Sequence, residues 1–334
     1  MKSKIIIGCD ISKNKLDFFC GYTQEYFTLS NNQPGLIKLL QWLKQHAFDL
    51  NEIYFSMEHT GYYGFKLAEF LFEHSIKYFM IPALQIKRSM GITRGKSDKI
   101  DARRIYDYTT EKFEKLNPTK PTDEGLKQLK RLSTHRALMV NQRASLLTTY
   151  REQQQTLGLA KNDFILIQLN KQIKLYDKLI KETETKIEAV VEKTNELSKS
   201  KQLLESIIGV GKVISISMII ATENFTRFTN WRKFASYCSC APFPNESGTK
   251  VRPARISKLG NKKIKSYLSQ GALSAIQHDA ELRQYYQRKL ADGKDEGKVL
   301  NVIKCKLLAR MFSVINRGCP FQKDYNNNLV VSTS

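Results

Sequence analysis

The chain has 334 residues, 41% of them hydrophobic, and carries 54 Lys+Arg against 32 Asp+Glu for a formal net charge of +22. That length exceeds one ordinary domain, and that charge points to a polyanionic partner, nucleic acid first. No apolar run approaches the roughly 18 residues of a membrane span, and the short Ile5-Ile6-Ile7 run leads into a strand rather than a secretion signal, so the expectation is a cytoplasmic protein away from the membrane.

Six cysteines are scattered. Only Cys238 and Cys240 are close-spaced, and without a second pair or nearby histidines they read as small buried hydrophobes rather than a zinc site.

In chain order, residues 4–10 read as a buried strand ending on Asp10. Residues 15–21 and 25–30 read as two more strands of a meander. Pro34 to Gln45 is an amphipathic helix with Leu36, Leu39, Leu40 and Leu43 on one side. A strand from Ile53 ends on Glu58, a helix covers 65–74, and a fifth strand, Ile76 to Ile81, stops at Pro82. A meander followed by alternating helices and strands predicts a mixed α/β sheet of the ribonuclease-H kind.

Next comes Lys96-Ser97-Asp98-Lys99-Ile100-Asp101-Ala102-Arg103-Arg104. On a helix Asp98 and Asp101 share a face, with Lys96, Lys99, Arg103 and Arg104 around them. Taken alone, acids near a helix start are ordinary dipole chemistry. In a ribonuclease-H-like sheet, however, the ends of the first and fourth strands and this helix converge at one edge. Asp10, Glu58, Asp98 and Asp101 would repel there unless Mg²⁺ or Mn²⁺ held them, as in two-metal phosphodiester chemistry.

From Asp123 to Gln155 the chain is helical and polar, with six Lys/Arg and no acid across residues 125–151. That imbalance reads as phosphate contacts, Lys130 and Arg131 among them. From Leu166 a heptad runs through Ile173, Ile180, Ile187 and Thr194, and a second seam through Leu169, Tyr176, Thr183, Val190 and Leu197. This predicts an antiparallel helical hairpin or a coiled coil between subunits, self-association being preferred.

Leu204 to Val213, followed by an apolar helix, has the form of a helix–hairpin–helix. Amides of its Gly209 and Gly211 turn could face a phosphate. Phe225, Phe228, Trp231 and Phe234 read as an aromatic helical face in a core. A Pro/Gly-rich loop from Ala241 to Thr249 then leads into an acid-free stretch bearing Lys250, Arg252, Arg255, Lys258, Lys262, Lys263 and Lys265, read as a nucleic-acid face. Residues 299–315 form a last amphipathic helix, and the tail from 326 is expected to be disordered.

Ile7-Gly8-Cys9-Asp10-Ile11-Ser12-Lys13, Glu58-His59-Thr60-Gly61-Tyr62, Lys96-Ser97-Asp98-Lys99-Ile100-Asp101-Ala102, Ile208-Gly209-Val210-Gly211, Ser247-Gly248 and Ser257-Lys258-Leu259-Gly260-Asn261 stand in the order seen in a known family. The chain resembles the DEDD transposases of the insertion-sequence "one-ten" family, relatives of the Piv DNA invertases, over about residues 4–325. The resemblance implies a RuvC-like catalytic domain at 1–120, a coiled-coil region at 121–200 and a mostly helical transposase domain at 201–325. It implies Mg²⁺ at Asp10, Glu58, Asp98 and Asp101 and a nucleophilic Ser247 that forms a covalent phosphoserine link to DNA, with Ser257 as the competing serine. A non-coding bridge RNA and assembly into dimers or tetramers are implied with it, the two parts of one active site coming from different subunits. The alternatives are a RuvC-like endonuclease using the four acids alone, a Piv-type invertase, and a non-enzymatic protein that packages nucleic acid.

Overall fold

A computed structural model describes residues 4–59, 61–89, 91, 97–121, 123–247, 250–257 and 259–323; of residues 243–255 the backbone alone is described. The chain divides into two compact units, Met1–Pro121 and Thr122–Ser334.

In the first unit, β1 (Ile5–Ile11), β2 (Lys15–Cys20) and β3 (Glu25–Ser30) form an antiparallel meander, followed by α1 (Gln33–Gln45). Then come β4 (Ile53–Glu58), α2 (Phe65–Glu73), β5 (Lys77–Ile81), α3 (Ala83–Ser89) and α4 (Asp98–Lys112). The sheet order is β3-β2-β1-β4-β5, with β4 parallel to both β1 and β5. The mixed α/β sheet expected from the sequence is therefore present, with β1 at its centre.

Strand parity explains both layers. Ile5, Ile7, Cys9 and Ile11 of β1 join Phe18, Phe55, Met57 and the leucines of α1 and α2 in one buried cluster. The intervening residues of β1 face α4, which approaches so closely at Gly8 that a Cβ there would lie 2.3 Å from the Ala102 carbonyl oxygen. A buried hydroxyl pair, Ser56 Oγ and Thr109 Oγ1 at 2.5 Å, joins β4 to α4 as well. Ile105 of α4 packs with Phe79, Ile81 and Ile86.

In the second unit, α5 (Glu124–Thr156) and α6 (Phe164–Glu192) form a hairpin. Arg136 pairs with Glu184 at 2.6 Å and Arg143 with Asp177 at 2.5 Å, so seven residues forward on α5 meet seven back on α6, an antiparallel register. Of the heptad residues, Leu166, Ile173, Ile187 and Val190 on α6 are buried, as is Leu197 beyond it. The seam thus packs against α5 of the same chain, the hairpin of the two expected arrangements. The seam also ends sooner than expected, because α6 stops at Glu192 and Thr194 caps the next helix.

The base of the hairpin shares a core with α7 (Asn195–Glu205), α8 (Lys212–Thr222), α9 (Trp231–Tyr237), α10 (Lys262–His278), α11 (Ala280–Ala291) and α12 (Glu296–Arg317). Helix α7 runs unbroken through residue 201. Of the aromatic set, Phe234 is fully buried in this core and Phe225, Phe228 and Trp231 pack partly buried against the same core, though only Trp231 and Phe234 are helical. Cys9, Cys20, Cys238 and Cys240 are buried as expected, whereas Cys305 is partly buried and Cys319 exposed.

The expected loop after Ala241 is instead an antiparallel ribbon, β6 (Pro242–Ser247) and β7 (Lys250–Ile256). Pro242, Pro244 and Pro253 hid it, since proline argues against a strand. A two-stranded ribbon has only edges and accommodates them, with a register shift between Phe243 and Asn245. No helix among the described residues is long and apolar enough to cross a membrane.

Candidate active site at the sheet edge

Asp10 is the last residue but one of β1 and Glu58 the last of β4, its parallel neighbour. Cys9 stands opposite Met57, so the two acids follow side by side. Both have the parity that faces α4, as Gly8 and Ser56 do. Helix α4 begins at this edge because Ser97 caps it, its hydroxyl accepting from the Ile100 amide at 3.3 Å. The contact of Ala102 with Gly8 fixes the height of α4 on the sheet and sets its first turn, with Asp98 and Asp101, beside Asp10.

The electrostatics of Asp10 reflect this placement. Burial, and then the negative charge of Asp101 with Asp98 and Glu58, pushes Asp10 from its ordinary 3.8 up to about 6, although a hydrogen bond from the Ile11 amide pulls the other way. Asp101 also meets Arg104 at 2.9 Å. Among the described residues no three His, Cys, Asp or Glu side chains are arranged as a preformed metal site. Hard oxygen donors and like charge around Asp10 are nevertheless the chemistry a divalent cation answers.

One acid was not foreseen. Asp17 on β2 stands opposite Asp10 in the β1–β2 register and is only 3% exposed. Its Oδ1 accepts from the Tyr26 hydroxyl at 2.5 Å and from Thr28 Oγ1 at 2.6 Å. The available signal was an aspartate inside the apolar run Leu16-Asp17-Phe18-Phe19.

The expected cations divide. Lys99 lies 5.7 Å from the Tyr26 ring centroid and Arg103 5.3 Å from that of Phe19, both exposed, while Arg104 is drawn to Asp101. On α5, Lys127 and Arg131 meet Glu124, Arg136 meets Glu184 and Arg143 meets Asp177, and Lys130 is exposed. Carboxylates therefore answer most of the positive charge that was assigned to phosphates, three of them from α6 and the helix's own first turn.

Gly209 (φ 91°) is shaped by packing: a Cβ there would lie 2.4 Å from the Gly271 carbonyl oxygen. Gly211 caps α8 and has open space beside it. Both line a cavity of about 860 Å³ with Arg136, Lys181, Lys212 and Lys263. Lys262 opens α10 and is exposed; burial and the nearby Arg136 hold Lys263 below its ordinary value. Ser247 ends β6 opposite Lys250, and β7 carries Arg252 and Arg255; the side chains of these four lie outside the described set. Lys96 and Lys258, and the tail beyond Lys323, lie outside it entirely. Ser257 is half-buried and its hydroxyl accepts from the Leu259 amide at 3.2 Å.

Residues 7–159 match a family model described as "Transposase", and residues 201–287 match one described as "Transposase IS116/IS110/IS902 family". The chain is 27% identical over 331 residues to the "Pilin gene-inverting protein" of Moraxella bovis, covering 96% of this chain and 98% of that one. The same-named protein of Moraxella lacunata matches equally. An "Insertion element IS110 uncharacterized 43.6 kDa protein" of Streptomyces coelicolor is 25% identical over 132 residues, 40% of this chain and 33% of its own.

Proposed function

Because the chain belongs to the IS110 family of transposases and is a DNA transposase/recombinase, we propose that it cuts and rejoins DNA through a covalent link to Ser247, with Asp10, Glu58, Asp98 and Asp101 holding Mg²⁺ or Mn²⁺. What supports this reading is the sheet edge itself, where burial and then the charges of Asp101, Asp98 and Glu58 raise Asp10 to about 6. A bound divalent ion supplies charge neutralisation for a scissile phosphate. In the strand-cutting step a bond forms between Ser247 Oγ and phosphorus as a phosphorus–oxygen bond to deoxyribose breaks. The hydroxyl proton passes to a base and the departing oxygen is protonated; attack by another deoxyribose hydroxyl reverses the step and releases the serine. Ser257, whose hydroxyl accepts from the Leu259 amide in a local turn, is the competing serine.

The charge of +22 supports a nucleic-acid partner, and a non-coding bridge RNA is proposed beside the DNA. Exposed Leu157, Phe164 and Ile165 around the bend of the α5–α6 hairpin support homo-oligomers. The domain reading remains 1–120 catalytic, 121–200 coiled coil and 201–325 transposase.

The test is denaturing electrophoresis of full-length protein incubated with labelled donor DNA and Mg²⁺, followed by peptide mapping. A denaturant-stable adduct at Ser247, absent in Ser247→Ala and in Asp10→Asn, is expected. Cleavage retained by Ser247→Ala would replace this reading with a hydrolytic nuclease that uses the acids alone. The whole-length likeness to pilin gene-inverting proteins favours site-specific inversion as a second reading. It predicts that a substrate with two inverted sites recombines, whereas insertion into unrelated DNA does not occur.

A further inference from the structure

Just past Glu58 the chain turns at Gly61 (φ 68°) and exposes three aromatic residues, Tyr62, Tyr63 and Phe65, at 59%, 48% and 37%. A solvated aromatic cluster of this kind marks a surface that meets something else. Tyr62 and Phe65 already support each other, edge to face, with centroids 5.7 Å apart.

Two contacts fasten this patch to the carboxylate edge. Asn31 Nδ2 donates to the Ser12 carbonyl at 2.9 Å, two residues past Asp10, and to the Tyr63 carbonyl at 3.0 Å. Gly64 lies against the end of β1, where an added Cβ would come within 3.2 Å of Ile11 Cδ1. Lys13 and Lys66 are exposed, and no acid occurs in the sequence between Glu58 and Glu69. Exposed aromatic faces, with a strand's phosphate expected a few residues away, suit a nucleobase. Every base offers a π face to stack, and its backbone supplies the negative charge.

We propose that Tyr62, backed by Phe65, is a stacking platform for an unpaired base of the DNA strand bound at the Asp10–Glu58–Asp98–Asp101 edge, so that the protein engages locally unpaired DNA in preference to intact duplex. The proposal rests on the reading of that edge as the DNA-cleaving site.

The experiment uses full-length protein with Ca²⁺ as the divalent ion and two labelled DNAs, one fully paired and one with a short unpaired stretch containing the fluorescent base 2-aminopurine. Wild type and Tyr62→Phe should quench the fluorescence and prefer the unpaired DNA. Tyr62→Leu, which keeps apolar bulk without a ring, should lose the quenching and about tenfold in affinity for the unpaired DNA, with less than about a twofold change for the paired one. Circular dichroism verifies that both variants are folded. An unchanged preference in Tyr62→Leu, or an equal loss in Tyr62→Phe, overturns the platform alone. Mg²⁺-dependent cleavage that survives Asp10→Asn overturns the reading of the edge, and the platform's placement falls with it.

Discussion

Asp10 is the residue on which the chemistry and the stability of the first unit pull against each other. Its folded-state pKa is raised to about 6 from 3.8. The native state therefore holds this proton longer than the unfolded chain does. The metal-free protein has the benefit in full below about pH 4 and loses it as pH rises through about 6. Because Asp10 is only half-buried, the loss is about 1 kcal/mol rather than the full value of the shift. Urea unfolding in EDTA across pH 4 to 7 should show this fall. Asp10→Asn should flatten it, stabilise the metal-free protein at pH 7 by a similar amount, and remove any stabilisation by Mg²⁺. A metal-induced gain that persists in the variant would place the ion elsewhere. Asp17 behaves differently: Asp17→Ala removes the acceptor of the Tyr26 and Thr28 hydroxyls, which keep each other at 3.1 Å and water as partners. It should cost about 1 kcal/mol in the same unfolding assay.

At the scale of elements, the site depends on how α4 rests on β1. Gly8 is a backbone-to-backbone contact, and a methyl group there meets the Ala102 carbonyl and the Tyr106 amide, neither of which can rotate away. Gly8→Ala should destabilise the first unit by about 1–3 kcal/mol. It should also reduce strand cleavage, since lifting α4 carries Asp98 and Asp101 away from Asp10 and Glu58. An unaltered cleavage rate with the predicted loss of stability would show that the height of α4 is not what positions the acids. In the second unit, Glu223, Asn224 and Phe225 all have positive φ at the end of α8. Glu223→Gly should raise the melting temperature, by up to about 1 kcal/mol of stability, because glycine bears no steric cost in that conformation.

For the whole molecule, the excess of positive charge predicts DNA binding that weakens steeply with salt. Affinity for fully paired DNA measured between 50 and 200 mM salt should fall by about a thousandfold or more if six or more phosphates are contacted. A shallow dependence would mean that ion pairs such as Arg136–Glu184 and Arg143–Asp177 absorb most of the charge internally. Self-association through the hairpin bend is tested by Phe164→Glu, which should shift the sedimentation profile toward smaller species and leave helix content unchanged; an unmoved profile places the interface elsewhere.

Local pattern alone made a good deal of this legible. The strand ends at Asp10 and Glu58, the cap at Ser97 and the order of meander, helices and strands follow from alternation and capping, which are properties of neighbouring residues. The motifs around them likewise carried the family. What the sequence left open were pairings between distant segments. The heptad of α6 suits α5 or a second subunit, and it is the tertiary register of Arg136 with Glu184 that packs it on α5. The ribbon around Ser247 is invisible to propensity because its strands exist only through each other. Asp17 became part of the acid site by strand register, and Tyr62 a neighbour of the carboxylate edge through Asn31. Periodicity is written along the chain, whereas which side chain faces which is settled only when the hydrogen-bond register and the packed interior select one arrangement.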